Sequence, residues 1–306
     1  MEQMGFYLGI DGGGTKSRCM LEFDDGRRTA QLGGPLNICS VPRTEVSRTL
    51  DSLFGWAETV SGDLSLCRGV GIGAAGFTDP QAEPFFRQKA EQWFPGTPVA
   101  LDTDAAVALY GAHLGREGIV LVAGTGSVCF GRKDGQACQV GGGGHIIDDG
   151  GSGYALGRDI LTAVLKAMDG RIPPTVLTEA VQERCGISRR SQLIHFVYGH
   201  GTGKEDIAAL APLLFPACRA GDEAALAIAD RAAEDLADMV LAAARQLDMP
   251  RGPVAFSGSV LTKEPWFLKK ICKILDRNDA NMVYYVSKAD AVAGAVLMAR
   301  WASEQG

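Results

Sequence analysis

Apolar and polar positions in the first forty residues alternate in the manner of short strands. Phe6 to Ile10 is an apolar run, and the stretch from Cys19 to Phe23 alternates between apolar and polar residues. Asp25-Gly26 then forms a hairpin-turn signal before a third run from Arg28 to Leu32. The pattern predicts a β-meander of three strands.

From Thr44 to Val60 the spacing of apolar residues changes to that of an amphipathic helix, with Thr44 as the expected N-cap. Alternating strands and helices follow, and their predicted centres are a strand at Val70–Ile72, a helix at Phe85–Phe94, a strand at Pro98–Leu101 and a helix within "LDTDAAVALYG". The predicted order of this half is therefore βββαβαβα.

The same order recurs in the second half, because "GIVLVAGTGSVCFGRKDGQ" (118–136) repeats the layout of "FYLGIDGGGTKSRCMLEFDDGR" (6–27). The elements predicted after it are a strand at Cys138–Val140, a helix capped by Ser152, a helical insertion over about 160–220, a helix at Asp222–Leu247, a strand at Val254–Phe256, a helix at Trp266–Leu275, a strand at Met282–Val286 and a helix from Ala289. We predict an α/β protein with domains at 1–116 and 117–306, facing each other across a cleft. The last helix is expected to be able to pack back on the first domain.

Composition excludes several classes of protein. The 306 residues carry a net charge of −6 without a basic run, which argues against nucleic-acid binding. The short apolar start is neither a signal peptide nor a membrane span, so we expect a cytoplasmic protein without a membrane partner. Eight cysteines stand singly, with no C-x2-C pair, which argues against structural zinc. Glycine is abundant, at 40 residues, and its clusters direct attention to tight turns.

Two glycine-rich turns occupy equivalent places in the two halves. "DGGGT" (11–15) and "GTGS" (124–127) each join two predicted strands, and such turns expose backbone amides that bind anions. Only the first turn carries an acid, Asp11, and Ala123 takes the equivalent place in the second. A carboxylate beside phosphates requires a divalent cation, so Asp11 predicts Mg²⁺, held mainly through water and phosphate oxygens.

Two other glycine motifs are weaker. "GIGAAG" (71–76) fits G-x-G-x-x-G but follows the fourth predicted strand rather than the first, so a strand-to-loop turn is the better interpretation. "GHGTGKE" (199–205) imitates a P-loop, yet Tyr198 replaces its first glycine and Glu205 its Mg²⁺-binding hydroxyl.

Three acids have both a structural and a chemical interpretation. Asp104 begins a predicted helix, where it would serve as an N-cap, but it also follows a strand end facing the cleft, which favours a general base. Asp148 or Asp149 would hydrogen-bond the hydroxyls of a polyol, or else belong to a solvated turn.

"GIDGGGTKS", "LDTDAA", "GTGS", "GGGGHIIDDGGSGY" and "FSGSVL" stand in the order and spacing of the actin/Hsp70/sugar-kinase (ASKHA) superfamily. The chain most resembles the N-acetylglucosamine kinase branch of the BadF/BadG/BcrA/BcrD ATPase family. The resemblance covers the whole chain and implies two ribonuclease-H-like domains.

The resemblance also implies site residues. Those implied to bind ATP are Gly12, Gly13, Gly14, Thr15, Lys16, Gly124, Thr125, Gly126, Ser127, Gly258 and Ser259. Those implied to bind the sugar are Asn37, Asp104, Gly142, Gly143, Gly144, His145 and Asp149, with Asp104 as catalytic base and Asp11 orienting Mg²⁺.

Two departures from the family pattern fall in the sugar segment: Gly143 replaces the usual Trp, and Gly150 the usual Glu. We expect these changes to open the pocket and remove a hydroxyl ligand. The predicted function is ATP-dependent phosphorylation of an amino sugar, with N-acetylglucosamine at the 6-hydroxyl as the first candidate. N-acetylmuramic acid, glucosamine or another sugar are the alternatives. The enzyme is expected to be a homodimer.

Two rival functions are disfavoured by missing sequence features. An ATPase that activates an iron-sulfur dehydratase would need a Gly-Cys-Gly context, which the sequence lacks. A sugar-sensing repressor of the related kinase family would need a DNA-binding extension ahead of the first strand and a cysteine-rich zinc motif.

Overall fold

The computed structural model describes residues 4–77, 79–199, 201–278 and 282–305. It divides into two compact units, Met1–Glu117 with Ser287–Gly306 and Gly118–Val286, called the first and second unit below. The sequence prediction had placed the boundary at 116/117 and assigned the last helix to the second domain, packing back on the first. In the described residues, no helix combines the length and apolar character that a membrane span requires.

The first unit begins with the predicted meander. Its elements up to residue 113 are β1 (Phe6–Gly12), β2 (Ser17–Phe23), β3 (Arg28–Gly33), α1 (Arg43–Ser61), β4 (Cys67–Ala74), α2 (Ala82–Trp93), β5 (Val99–Asp102) and α3 (Asp104–His113). The strand order is β3-β2-β1-β4-β5, in which β1 is antiparallel to β2 and parallel to β4. Strand β1 is buried along nearly its whole length because it lies at the centre of this sheet.

The second unit repeats the plan with an insertion. Its elements are β6 (Gly118–Ala123), β7 (Ser127–Lys133), β8 (Gln136–Gly141), α4 (Gly153–Met168), α5 (Val176–Cys185), α6 (Arg190–Tyr198), α7 (Lys204–Ala208), α8 (Leu214–Arg219), α9 (Glu223–Gln246), β9 (Pro253–Ser257), α10 (Ser259–Thr262), α11 (Pro265–Arg277) and β10 (Val283–Val286). The strand order β8-β7-β6-β9-β10 matches that of the first unit, position for position. The predicted duplication is confirmed.

Helix caps agree with the sequence in part. Ser152 caps α4 by accepting from the amide of Ala155, as predicted. The N-cap of α1 is Pro42 rather than Thr44, and no side chain caps this helix. The prediction for Thr44 is therefore wrong: proline's fixed φ is already compatible with the turn that starts the helix.

The last helix, α12 (Ala291–Gln305), belongs to the first unit and packs on β1, β4 and α3. Glycines make this close approach possible. A Cβ atom at Gly9 would lie 2.5 Å from the amide N of Val296, and one at Gly71 would overlap the carbonyl O of Ala295. Gly71 thus lies within β4 and serves helix packing, so the interpretation of "GIGAAG" as a turn is wrong for its first glycines.

Gly294 of α12 offers a direct test of this packing. A Cβ there would overlap the carbonyl O of Val107 and lie 2.5 Å from the amide N of Gly111, both backbone atoms of α3. Because backbone atoms cannot move aside cheaply, we expect Gly294→Ala to lower the free energy of unfolding by about 3 kcal/mol. The measurement is urea-induced unfolding followed by circular dichroism.

The matched control is Gly55→Ala in α1. A Cβ there lies 3.8 Å from the nearest atom, on the Trp93 ring, and alanine favours helix over glycine by about 1 kcal/mol. Gly55→Ala should leave stability equal or slightly higher. Equal stability of the two variants would contradict the packing argument.

Candidate active site

The first glycine turn joins β1 to β2 in the first unit. The amide of Gly13 donates to the carbonyl of Lys16 at 2.9 Å, which closes the turn. A Cβ at Gly12 would lie 2.7 Å from Leu36, so that position has room only for glycine. Asp11, Gly13 and Lys16 line one cavity of about 640 Å³, which brings the predicted metal-binding acid and phosphate turn together.

Asp11 lies in a strongly acidic setting. Its pKa is raised to about 7, first by burial and then by the negative charges of Asp104 and Asp290, and Arg18 and Lys16 offset only part of this. No group of three or more His, Cys, Asp or Glu side chains in the described residues could hold a metal. A partly buried carboxylate near other negative charges fits Mg²⁺, which binds through one or two carboxylates and completes its shell with phosphate oxygens and water.

Asp104 is the first residue of α3 and not its N-cap. Thr103 occupies the cap and accepts from the amide of Ala106 at 3.0 Å. The Asp104 carboxylate accepts from the amide of Ala105 at 3.0 Å, and burial raises its pKa. The N-cap interpretation of Asp104 is therefore wrong. A carboxyl whose pKa moves towards neutrality suits a general base.

Asn37 lies beside the first glycine turn. Its Oδ1 accepts from the amide of Cys39 at 3.0 Å and lies 2.5 Å from where a Cβ of Gly76 would be. A Cβ of Gly14 would lie 3.9 Å from its Nδ2. The structure thus brings this predicted sugar ligand next to a predicted phosphate ligand.

The second glycine turn, Gly124–Ser127, joins β6 to β7. The carbonyl of Gly124 accepts from the amide of Gly153 at 2.7 Å. The carbonyl of Thr125 accepts from the amide of Tyr154 at 3.1 Å. The first residues of α4 therefore hold the turn by its carbonyl groups.

Three predicted ATP ligands line one cavity of about 310 Å³ in the second unit: Gly124, Thr125 and Ser259. Gly258 precedes α10 with a φ of 88°, and a Cβ there would overlap the backbone of Ala123. Only glycine satisfies both the left-handed backbone and the close contact with β6. The contact brings the "SGSV" turn up to the second glycine turn.

The Gly142–His145 segment follows β8, with φ values of 76° at Gly142 and 91° at Gly144. The His145 ring packs edge-on against Tyr154 at a centroid distance of 4.7 Å, and both line a cavity of about 430 Å³.

Asp149 lies against the second glycine turn and not in the cavity that His145 lines. Asp149 is 3% exposed, and its Oδ1 is 3.4 Å from the amide N of Ser127. Its Oδ2 accepts from Lys204 Nζ at 2.9 Å. Asp148 instead accepts from the amide of Gly143 at 2.9 Å.

The sequence model of the BadF/BadG/BcrA/BcrD ATPase family matches residues 8–299, which include both glycine turns, Asp104 and the "SGSV" turn. The chain belongs to this family. Curated relatives agree: the N-acetylmuramic acid/N-acetylglucosamine kinase of Clostridium acetobutylicum is 32% identical over 97% of this chain and 99% of its own length. The glucosamine kinase GspK of Vibrio cholerae is 29% identical over 97% and 96%.

A solved structure from Chromobacterium violaceum, of a candidate N-acetylglucosamine kinase, has the same fold. The TM-score is 0.75 at 28% identity, over 97% of this chain and 99% of that one. The predicted fold class, two ribonuclease-H-like α/β units of the actin-like type, is confirmed by this similarity and by the shared strand order of the two sheets.

The two departures from the pattern of the BadF/BadG/BcrA/BcrD family do not leave open space. A Cβ at Gly150 would lie 2.9 Å from the Asp235 side chain of α9, and one at Gly143 would lie 3.1 Å from the Asp148 side chain. The space directly beside both glycines is therefore occupied by aspartate side chains, and the expected opening of the sugar pocket stays a prediction. Asp148 of the same loop lies next to Gly143, and Asp235 of the distant helix α9 lies next to Gly150.

Three residues that lie near the proposed ligand residues were not identified from the sequence. Asp290 caps α12 through the amide of Ala293 and adds negative charge near Asp11. Asp235 lies on a long helix distant in sequence, where no local signal marks it. Lys204 lies in "GHGTGKE", a motif whose His200 is outside the described residues. The motif does not fit a P-loop, and no local signal indicated that Lys204 forms an ion pair with Asp149.

Proposed function

We propose that this protein is an ATP-dependent kinase of an amino sugar. The observation that supports this function best is the partly buried Asp104 carboxyl near Asp11, in the unit whose glycine turn lies beside Asn37. The second unit contributes a matching turn whose cavity also contains Ser259. Similarity to curated kinases of N-acetylglucosamine, N-acetylmuramic acid and glucosamine supports the sugar as acceptor.

The chemistry assigned to this chain is one proton transfer and one phosphoryl transfer. The Asp104 carboxylate accepts the proton of a sugar hydroxyl, first the 6-hydroxyl, while that oxygen bonds to the γ-phosphorus of ATP. The bond from that phosphorus to the β,γ-bridging oxygen breaks, and ADP leaves with the electron pair. The two glycine turns hold phosphate oxygens through backbone amides, and exclusion of water prevents hydrolysis of ATP.

Asp11 is the residue that would hold Mg²⁺, through water. When bound, the ion neutralises phosphate charge. Asn37 and the Gly142–His145 segment are the proposed sugar ligands, whereas Asp149 pairs with Lys204 at the second glycine turn.

The test of the proposed function is ADP release in a coupled assay with a panel of sugars. We expect N-acetylglucosamine, N-acetylmuramic acid or glucosamine to raise ADP release at least tenfold above the rate without sugar. Product analysis by nuclear magnetic resonance would identify the phosphorylated hydroxyl. If no sugar raised the rate, an ATPase acting on a protein partner would replace the kinase, although curated relatives do not favour that alternative.

The assembly and location stay predictions from the sequence. We propose a cytoplasmic homodimer, and light scattering after size-exclusion chromatography would give its mass as twice the 32.3 kDa of the chain.

A further inference from the structure

Helix α7 of the second unit lies between two cavities. Glu205 and Ala208 line the cavity of about 310 Å³ that contains the second glycine turn and Ser259. Lys204 and Ile207 line the cavity of about 430 Å³ that contains His145. Lys204 therefore stands where the proposed nucleotide cavity and the proposed sugar segment meet.

Backbone contacts fix the position of this short helix. Gly157 of α4 packs so closely that a Cβ there would overlap the carbonyl of Ile207. A Cβ at Gly153 would lie 3.5 Å from both Ala208 Cβ and its carbonyl O. Helix α4 also holds the second glycine turn, so the turn and Lys204 are positioned by one and the same helix.

The Lys204 ammonium group lies directly beside that turn. Its Nζ is 2.9 Å from Asp149 Oδ2 and 3.3 Å from where a Cβ of Gly126 would be. The Asp149 side chain is 4% exposed and that of Lys204 is 27% exposed, so the ion pair is shielded from water without being closed to a ligand.

We propose that Lys204 binds oxygens of the transferring phosphate and that Asp149 positions it, an inference that rests on the proposed kinase function. An ammonium group has three N–H donors, of which Asp149 accepts one, and phosphate oxygens can accept the others. Positive charge at this point stabilises the charge that develops during phosphoryl transfer.

The test compares Lys204→Met, Lys204→Arg, Asp149→Asn and the Lys204→Met/Asp149→Asn double variant with the wild-type protein. Binding of adenylyl imidodiphosphate with Mg²⁺ is measured without sugar, and kcat/KM for ATP with the sugar that the wild-type protein uses. We expect Lys204→Met to lose about 10- to 100-fold in kcat/KM, since a charge-assisted hydrogen bond is removed, and Lys204→Arg to retain most of it.

The double variant separates two roles of the lysine. If Lys204 only neutralised Asp149, removing both charges would restore nucleotide binding and turnover; if it binds phosphate, the double variant stays at least tenfold impaired in binding. Restoration, or Lys204→Met within twofold of wild type, would overturn the inference.

Lys270→Met is the matched control. Lys270 has the same 27% exposed side chain and pairs with an aspartate, Asp230, in the same unit, but it lines a different cavity. It should keep wild-type binding, and thermal unfolding shows whether any variant is misfolded. If the wild-type protein showed no sugar-dependent turnover, the proposed kinase function would be refuted. The nucleotide-binding measurements would still test whether Lys204 binds phosphate.

Discussion

Asp104→Asn is expected to lower kcat of the proposed kinase by about 10²- to 10⁴-fold, because asparagine cannot accept the proton of the attacking hydroxyl. Nucleotide binding should remain near the wild-type value, since the glycine turns and not Asp104 hold the phosphates. Loss of the helix cap does not explain such an effect, because Thr103 caps α3. The measurement is single-turnover transfer from ATP, together with calorimetric binding of adenylyl imidodiphosphate.

Asp102→Asn is the matched control for this variant. Asp102 lies two residues away at the end of β5, and its Oδ1 accepts from the amide of Thr103 at 2.8 Å. We expect its kcat to stay within about fivefold of wild type, because asparagine keeps an acceptor oxygen. Equal losses in both variants, or retained activity in Asp104→Asn, would show that Asp104 is not the base.

The pH profile adds a second measurement. Burial raises the pKa of Asp104, so the carboxylate forms at higher pH than that of an exposed aspartate. Turnover of the wild-type protein should therefore fall towards acid with a midpoint above 4, the usual range of aspartate. The residual activity of Asp104→Asn should lack the contribution of this group to the acid limb.

Asp11→Asn is expected to separate stability from activity. In metal-free protein the pKa of Asp11 is raised from 3.8 to about 7, so the folded state binds its proton more tightly than the unfolded state does. Ionisation then costs the folded state free energy, and stability is lost as the pH rises from about 4 to 7. The shift of about three pKa units sets an upper limit of about 4 kcal/mol at pH 8.

Asparagine carries no charge and removes this cost. In a chelating buffer at pH 8, Asp11→Asn should unfold at higher urea than the wild-type protein, and the gain should disappear near pH 4. At the same time kcat/KM with Mg²⁺ should fall by at least about 10²-fold, because the residue that orients the ion is lost. The measurements are urea titrations at both pH values and turnover across Mg²⁺ concentrations.

Asp25→Asn provides the control in the same unit. Asp25 is exposed in the hairpin turn, and hydrogen bonds from Arg27 lower its pKa, so its ionisation favours the fold. Asp25→Asn should show no gain at pH 8 and no loss of turnover. A stability gain for both variants, or for neither, would contradict the burial argument for Asp11.

Local signals were enough for much of the architecture. The apolar runs, the Asp-Gly turns and the repeated order of elements predicted both sheets, because strand periodicity and turn residues act over a few positions. The positions of the two glycine turns were also predictable, because clustered glycines between two strand patterns indicate a tight turn. Ser152 as a cap has the same origin, since its partner lies three residues along the helix.

Contacts between residues distant in sequence were decided only by the tertiary structure. Glycine is required at positions 71 and 294 because α12 packs closely on β4 and α3, and no local sequence pattern predicts how closely these elements approach each other. Asp235 fills space beside Gly150 from a helix about eighty residues later, and the ion pair between Lys204 and Asp149 joins residues 55 positions apart. By itself the sequence determined which groups could bind phosphate and accept a proton. Packing of the folded chain determined which charges surround them, because burial and electrostatic interactions depend on distance in space rather than along the chain.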